Sequence, residues 1–181
     1  MRVYIGVDLP EYVKQSLYES QFQLKKLGLK GTWKPSEYFH ITLEFLGELT
    51  PESIPLLTQV IDTAIAGKRA FRLTIDRFGA FPSFHRPHTL WAGVGGSVLK
   101  LNQLQSDLHE ELKRNGFELE QSHFKPHISL LSRPREIGSN LKSFLLRRSG
   151  KFTVSEVILF ESKVVEGKRV YPALYRAQLK R

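Results

Sequence analysis

The chain contains no cysteine, which excludes disulfides, thiolate metal sites and a cysteine nucleophile. It has no apolar stretch of membrane-spanning length, and Asp8 interrupts the opening segment where a signal peptide would be apolar. The expectation is a cytoplasmic protein with no membrane association. His, Asp and Glu form no cluster at metal-ligand spacing, so no metal and no cofactor are expected. Neither a carboxylate pair nor a glycine-rich phosphate loop is present to carry the chemistry. Acidic residues are also in short supply, 18 against 27 basic ones, for a formal charge of +9 and a pI near 9.8. No run of five like charges forms a tail, so the basicity belongs to the folded body. It favours phosphate-bearing partners, nucleic acid or nucleotides.

At 181 residues the chain is long enough for one domain, or one domain with two lobes. Hydrophobic periodicity predicts strands over Val3 to Leu9, Tyr38 to Leu46, Phe71 to Phe78, Thr89 to Val94, Phe124 to Leu131, Phe152 to Phe160 and Tyr171 to Leu179. Helices are predicted from Pro10 to about Leu27, from Thr50-Pro51 to about Ala66, from Ser97 to Asn115 and over Glu136 to Arg147. Thr50 is the expected N-cap of the second, and Gly28 to Ser36 reads as a loop.

Two short segments share a pattern: Phe39-His40-Ile41-Thr42-Leu43 and Pro126-His127-Ile128-Ser129-Leu130. Side chains alternate faces along a strand, so His40 and Thr42 share one face and His127 and Ser129 another, while the aliphatic neighbours point to a core. As bare strings such matches arise by chance about once in a chain of this composition, and context decides their weight. The other histidines, His85, His88, His109 and His123, have no hydroxyl two residues on. His85 and His88, in the loop from Pro82 to Pro87 and just after it, read as surface residues.

The segments also sit in register. His127 follows His40 by 87 residues, and the same step carries Val3-Tyr4-Ile5-Gly6-Val7 onto Leu90-Trp91-Ala92-Gly93-Val94. The expectation is an internal duplication, roughly 1–80 and 88–181, within a single bilobed domain whose lobes need not be the two sequence halves. Such a pseudo-twofold brings the two strands face to face across a cleft.

Two histidines suit phosphodiester chemistry, since their ordinary pKa lets one be a base and the other an acid near neutral pH. Hydroxyls can hold the non-bridging oxygens as charge builds on phosphorus. The rival reading is a non-catalytic RNA-binding module.

Trp33-Lys34-Pro35, His40-Ile41-Thr42-Leu43-Glu44-Phe45-Leu46-Gly47, Phe78-Gly79-Ala80-Phe81-Pro82 and Phe124-Lys125-Pro126-His127-Ile128-Ser129-Leu130 together resemble the two-histidine (2H) phosphoesterases. Within them the chain is most similar to the RNA 2',3'-cyclic phosphodiesterases, also called 2'-5' RNA ligases. The resemblance implies an α+β fold with two antiparallel sheets lining a cleft and helices outside. It implies a substrate, an RNA or oligonucleotide ending in a 2',3'-cyclic phosphate, and a monomer without protein partner. His40 would protonate the departing 3'-oxygen and His127 would activate water, leaving a 2'-phosphomonoester without metal. Thr42 and Ser129 would hold the phosphate. The same fold acting on a 2'-5' oligonucleotide, a small cyclic nucleotide or an ADP-ribose cyclic phosphate stays open, as does ligation, the same chemistry in reverse.

Relatives often carry arginine five residues after the second histidine, where this chain has Ser132 and places Arg133 next. A one-residue step turns a side chain to the opposite face, so Arg133 reaches the phosphate only if a bulge re-aims it. Trp33, Phe39, Phe81, Phe84 and His85 are candidates to line the cleft, with core packing the favoured role for Phe39 and Phe81.

Overall fold

The computed structural model describes residues 1–135 and 150–181. The chain runs β1 (Arg2–Asp8), α1 (Glu11–Lys26), β2 (Lys30–Trp33), a 3-10 turn at Ser36–Tyr38, β3 (His40–Glu48), a second 3-10 turn at Pro51–Ser53, α2 (Ile54–Ile65), β4 (Phe71–Phe81) and β5 (Thr89–Gly96). It continues through α3 (Val98–Arg114), β6 (His127–Arg135), β7 (Phe152–Val154), β8 (Glu156–Val165), β9 (Lys168–Val170) and β10 (Ala173–Gln178). The helix predicted over Glu136 to Arg147 lies outside the described residues.

Two antiparallel sheets result. One has the order β10-β8-β1-β3 with β9 paired to β8, and the other the order β2-β6-β5-β4-β7. Val3, Tyr4, Ile5 and Val7 are all buried, as befits β1 lying between two partners. One large apolar cluster joins both sheets to α1, α2 and α3. α3 shows how the sequence directs this packing: Leu101, Leu104, Leu108 and Leu112 recur at helical spacing and are all buried. Each contributes about 1.5–3 kcal/mol of transfer free energy. The α+β architecture with two antiparallel sheets is as expected.

Sheet membership does not follow the two sequence halves. β4 joins β5 in the second sheet, while β8 returns to flank β1 in the first and β10 pairs on the far side of β8. The strand predicted over Phe152 to Phe160 is in fact two. Phe152 and Val154 face the core as β7 against β4, then the chain leaves at Ser155 and Val157 to Leu159 are buried in β8 against β1. The polar pair Ser155-Glu156 falls at this change of sheet.

The predicted loop over Gly28 to Ser36 holds β2, an edge strand on β6. It is short and contains Gly31, where any Cβ would lie 2.7 Å from the Leu131 side chain and 2.8 Å from the Ser132 carbonyl oxygen. Glycine lets the backbones approach but hides the strand from a pattern search. The second histidine strand starts at His127 rather than Phe124 and continues to Arg135. α2 is entered through a 3-10 turn at Pro51–Ser53, and Thr50 makes no side-chain cap bond to its backbone.

Candidate active site

Each histidine stands at the first position of its strand, β3 or β6, and each is anchored in the same way. His40 Nδ1–H donates to the Tyr38 carbonyl at 2.7 Å, and His127 Nδ1–H donates to the Lys125 carbonyl at 2.6 Å. The carbonyl accepts only, so both rings carry their proton on Nδ1 when neutral and keep Nε2 for chemistry. His40 Nε2 lies 3.0 Å from Thr42 Oγ1, as strand alternation requires of residues two apart. His40, Thr42, His127 and Ser129 line one cleft of about 980 Å³.

Aromatic rings hold the two imidazoles. Tyr4, itself stacked on Phe160, lies against His40 with ring centroids 4.9 Å apart, and Tyr171 closes another side at 6.2 Å. His127 meets Phe81 edge to face at 4.7 Å, with Trp91 behind at 6.1 Å. The indole occupies a slot that glycine creates, since a Cβ on Gly79 would lie 2.1 Å from the Trp91 ring. Phe81 is therefore a wall of the site, contrary to the core role expected for it. Phe39 is fully buried, as expected. Trp33 and Phe84 pack instead on the small cluster of Leu24, Leu29, Leu90 and Leu131, while His85 is exposed and lines neither the cleft nor the cavity beside it.

Burial pushes the His40 pKa down to about 4, with the nearby Lys34 ammonium adding to the effect; the Tyr38 carbonyl and Asp8 act against it. His127 is also lowered by burial, opposed by its bond to Lys125. Both imidazoles are thus biased toward the neutral form.

Cations surround them. Arg2, Lys34, Arg133 and Arg169 all line the cleft. Burial lowers the Lys34 pKa, and its ammonium sits 5.1 Å from the centre of the Tyr171 ring. Arg133 is reached through an irregular strand edge: it takes φ of 51°, and the β2 and β6 register shifts between Lys30 and Thr32, opposite it. The irregular edge leaves both Ser132 and Arg133 on the cleft wall. Lys34 stands in the Trp33-Lys34-Pro35 segment of the resemblance and Tyr4 in the strand aligned by the 87-residue step, but their place in the cleft, like that of Tyr171, comes from tertiary packing rather than spacing. Among the described residues no group of three or more His, Asp or Glu could hold a metal ion, and no helix is long and apolar enough to cross a membrane.

Residues 7–91 match the family described as LigT-like phosphoesterase. The chain is 34% identical to the RNA 2',3'-cyclic phosphodiesterase of Thermotoga maritima over 130 residues, covering 72% of this chain and 68% of that one. It is 31% identical to the enzyme of the same name from Aeropyrum pernix over 150 residues, covering 78% and 82%. Among solved structures it is similar to TT0787 of Thermus thermophilus, with a TM-score of 0.79, 25% identity and coverage of 99% and 98%. It also shares its fold with E. coli LigT complexed with 3'-AMP, at a TM-score of 0.82, 24% identity and coverage of 99% and 98%.

Proposed function

The chain belongs to the LigT-like phosphoesterases of the 2H superfamily and is a phosphoric diester hydrolase, and from that premise we propose its reaction: hydrolysis of an RNA 2',3'-cyclic phosphodiester to a 2'-phosphomonoester, by two histidines and without metal. The observation that carries this reading is the shared anchor. Both imidazoles give Nδ1–H to a carbonyl two residues upstream and retain Nε2, on two strands that border one cleft.

His127 Nε2 takes a proton from water as the water oxygen bonds to phosphorus. The bond from phosphorus to O3' breaks, and O3' takes the proton carried on His40 Nε2. One proton enters the pair and one leaves, and exchange with solvent restores the starting state. Such general acid and base groups contribute roughly 10²–10⁴-fold. Burial alone favours neutral His40, so the acid form depends on the substrate: the anionic diester beside the ring stabilises the imidazolium. Thr42 Oγ1, Ser129 Oγ and the cleft cations offer donors to the non-bridging oxygens.

The test is the product. With EDTA present, RNA ending in a 2',3'-cyclic phosphate is expected to yield a 2'-phosphate. A 3'-phosphate, or activity that disappears with the chelator, would overturn the assignment.

A further inference from the structure

Lys14 lies on the inward face of α1, in the helical series with Leu17, Gln21 and Leu24, and only 6% of its surface is exposed. An ammonium is taken out of water only where other groups replace its hydration. Its Nζ meets Asp8 Oδ1 at 2.9 Å, at the end of β1, and donates to the Glu37 carbonyl at 2.9 Å, in the turn before β3.

Both partners lead to His40. Glu37 precedes Tyr38, whose own carbonyl accepts from His40 Nδ1, so Lys14 and His40 hold successive carbonyls of one turn. Gln21, seven residues after Lys14 on the same helix face, holds the Lys34 carbonyl at the other end of this segment. Asp8 stands opposite His40 in the register of β1 and β3, and both border a cavity of about 150 Å³ together with Glu37 and Arg176. Asp8 favours the protonated ring, whereas Lys34 and His127 disfavour it, and Tyr4, Tyr38 and Tyr171 complete its surroundings. A carboxylate that shares its field with an adjacent ammonium acts more weakly on a third group than a bare one.

We propose that Lys14 is a positioning residue for His40: its ammonium fixes the turn that aims the ring and, by pairing with Asp8, restrains that carboxylate from drawing a proton onto the ring ahead of substrate. Its meaning for catalysis rests on the phosphodiesterase reading above, in which His40 is the acid.

The experiment is an NMR titration of the His40 and His127 rings in the substrate-free protein. In Lys14→Met, which keeps the apolar stem, His40 is expected to titrate at higher pH than in the native protein, with His127 unmoved. Asp8 keeps 38% of its side chain exposed, so water can solvate it there. Adding Asp8→Asn to Lys14→Met is expected to bring the His40 midpoint back toward its native value, which would not follow from a loosened turn alone. Asp8→Asn by itself is expected to lower the midpoint. An unmoved midpoint in Lys14→Met, or one that stays raised in the double variant, would overturn the proposal. Should Lys14→Met fail to fold, an unmoved midpoint in Asp8→Asn does the same. Because these titrations need no substrate, they separate the pair from the reaction. Shifts as expected in a protein that leaves a cyclic phosphate end intact would sink the reaction and leave the pair standing, whereas hydrolysis with unmoved midpoints would do the reverse.

Discussion

Gln21, on α1, donates its side-chain amide to the Leu130 carbonyl at 3.0 Å, joining a helix of the first half to the strand that carries His127 and Ser129. The same nitrogen donates to the Lys34 carbonyl at 2.9 Å, just ahead of the turn that anchors His40. The backbone N–H of Lys34 also donates to Leu130, at 3.0 Å. One amide, only 2% exposed, ties the approaches to both histidines.

Gln21→Leu keeps the volume but leaves the Lys34 carbonyl without this donor, and is expected to cost about 1–3 kcal/mol. The loss should appear as a lower melting temperature. Because the amide fixes one histidine segment against the other, kcat should fall further than the change in KM at temperatures where the variant remains folded.

His40→Ala and His127→Ala are each expected to reduce turnover at least about a hundredfold. Steady-state kinetics on a cyclic phosphate end measures this, and near-native turnover in either variant would make that histidine structural.

His40 also predicts a stability profile. Its pKa lies near 4 in the fold against an ordinary 6.5, so below pH 6.5 the unfolded chain binds a proton that the native state refuses. Stability is full above pH 6.5, declines as pH falls from 6.5 toward 4, and receives no further loss from this group below that. A melting series is expected to show a shallower decline over this window in His40→Ala. A 2'-phosphomonoester product, by favouring the imidazolium, should flatten it in the native protein.

Gly79→Ala would put a methyl 2.1 Å from the Trp91 ring. The indole must move, at a cost of about 1–3 kcal/mol for overpacking. Tryptophan fluorescence should shift and kcat should fall, since Trp91 stands behind His127.

Arg133 is best removed as Arg133→Asn, because asparagine tolerates a φ of 51° better than most side chains. If the guanidinium holds phosphate, KM should rise about tenfold, the scale of a charged hydrogen bond. The rise should shrink as salt increases. An unchanged KM would place Arg133 outside the phosphate site.

Spacing carried most of what could be read in advance. Period-two alternation was enough to put His40 beside Thr42 and to send Ile41 and Ile128 into the core, because those relations are local. The 87-residue step links Tyr4 to Trp91 as well as His40 to His127, and each aromatic lies near its own histidine. An apolar ring such as Phe81 suits a cleft wall and a core wall alike, so composition does not tell the two apart. The bond between Glu44 and His109 joins distant parts of the chain, and no local rule marks it. The break falls at Ser155-Glu156, a polar pair that marks an interruption without saying that the strands on either side belong to different sheets.

That break governs the order in which the protein can be completed. β1 lies at the start of the chain, yet one of its two flanking strands is β8, at residues 156–165. During synthesis β1 and β3 can pair early, but the β8 side of that sheet stays open until the last quarter of the chain has emerged. Until then β1, in which Val3, Tyr4, Ile5 and Val7 are all buried in the finished fold, presents an unpaired edge, the kind of edge that recruits other chains. Weaving the histidine strands into shared sheets leaves the nascent chain with an open apolar edge until β8 has emerged.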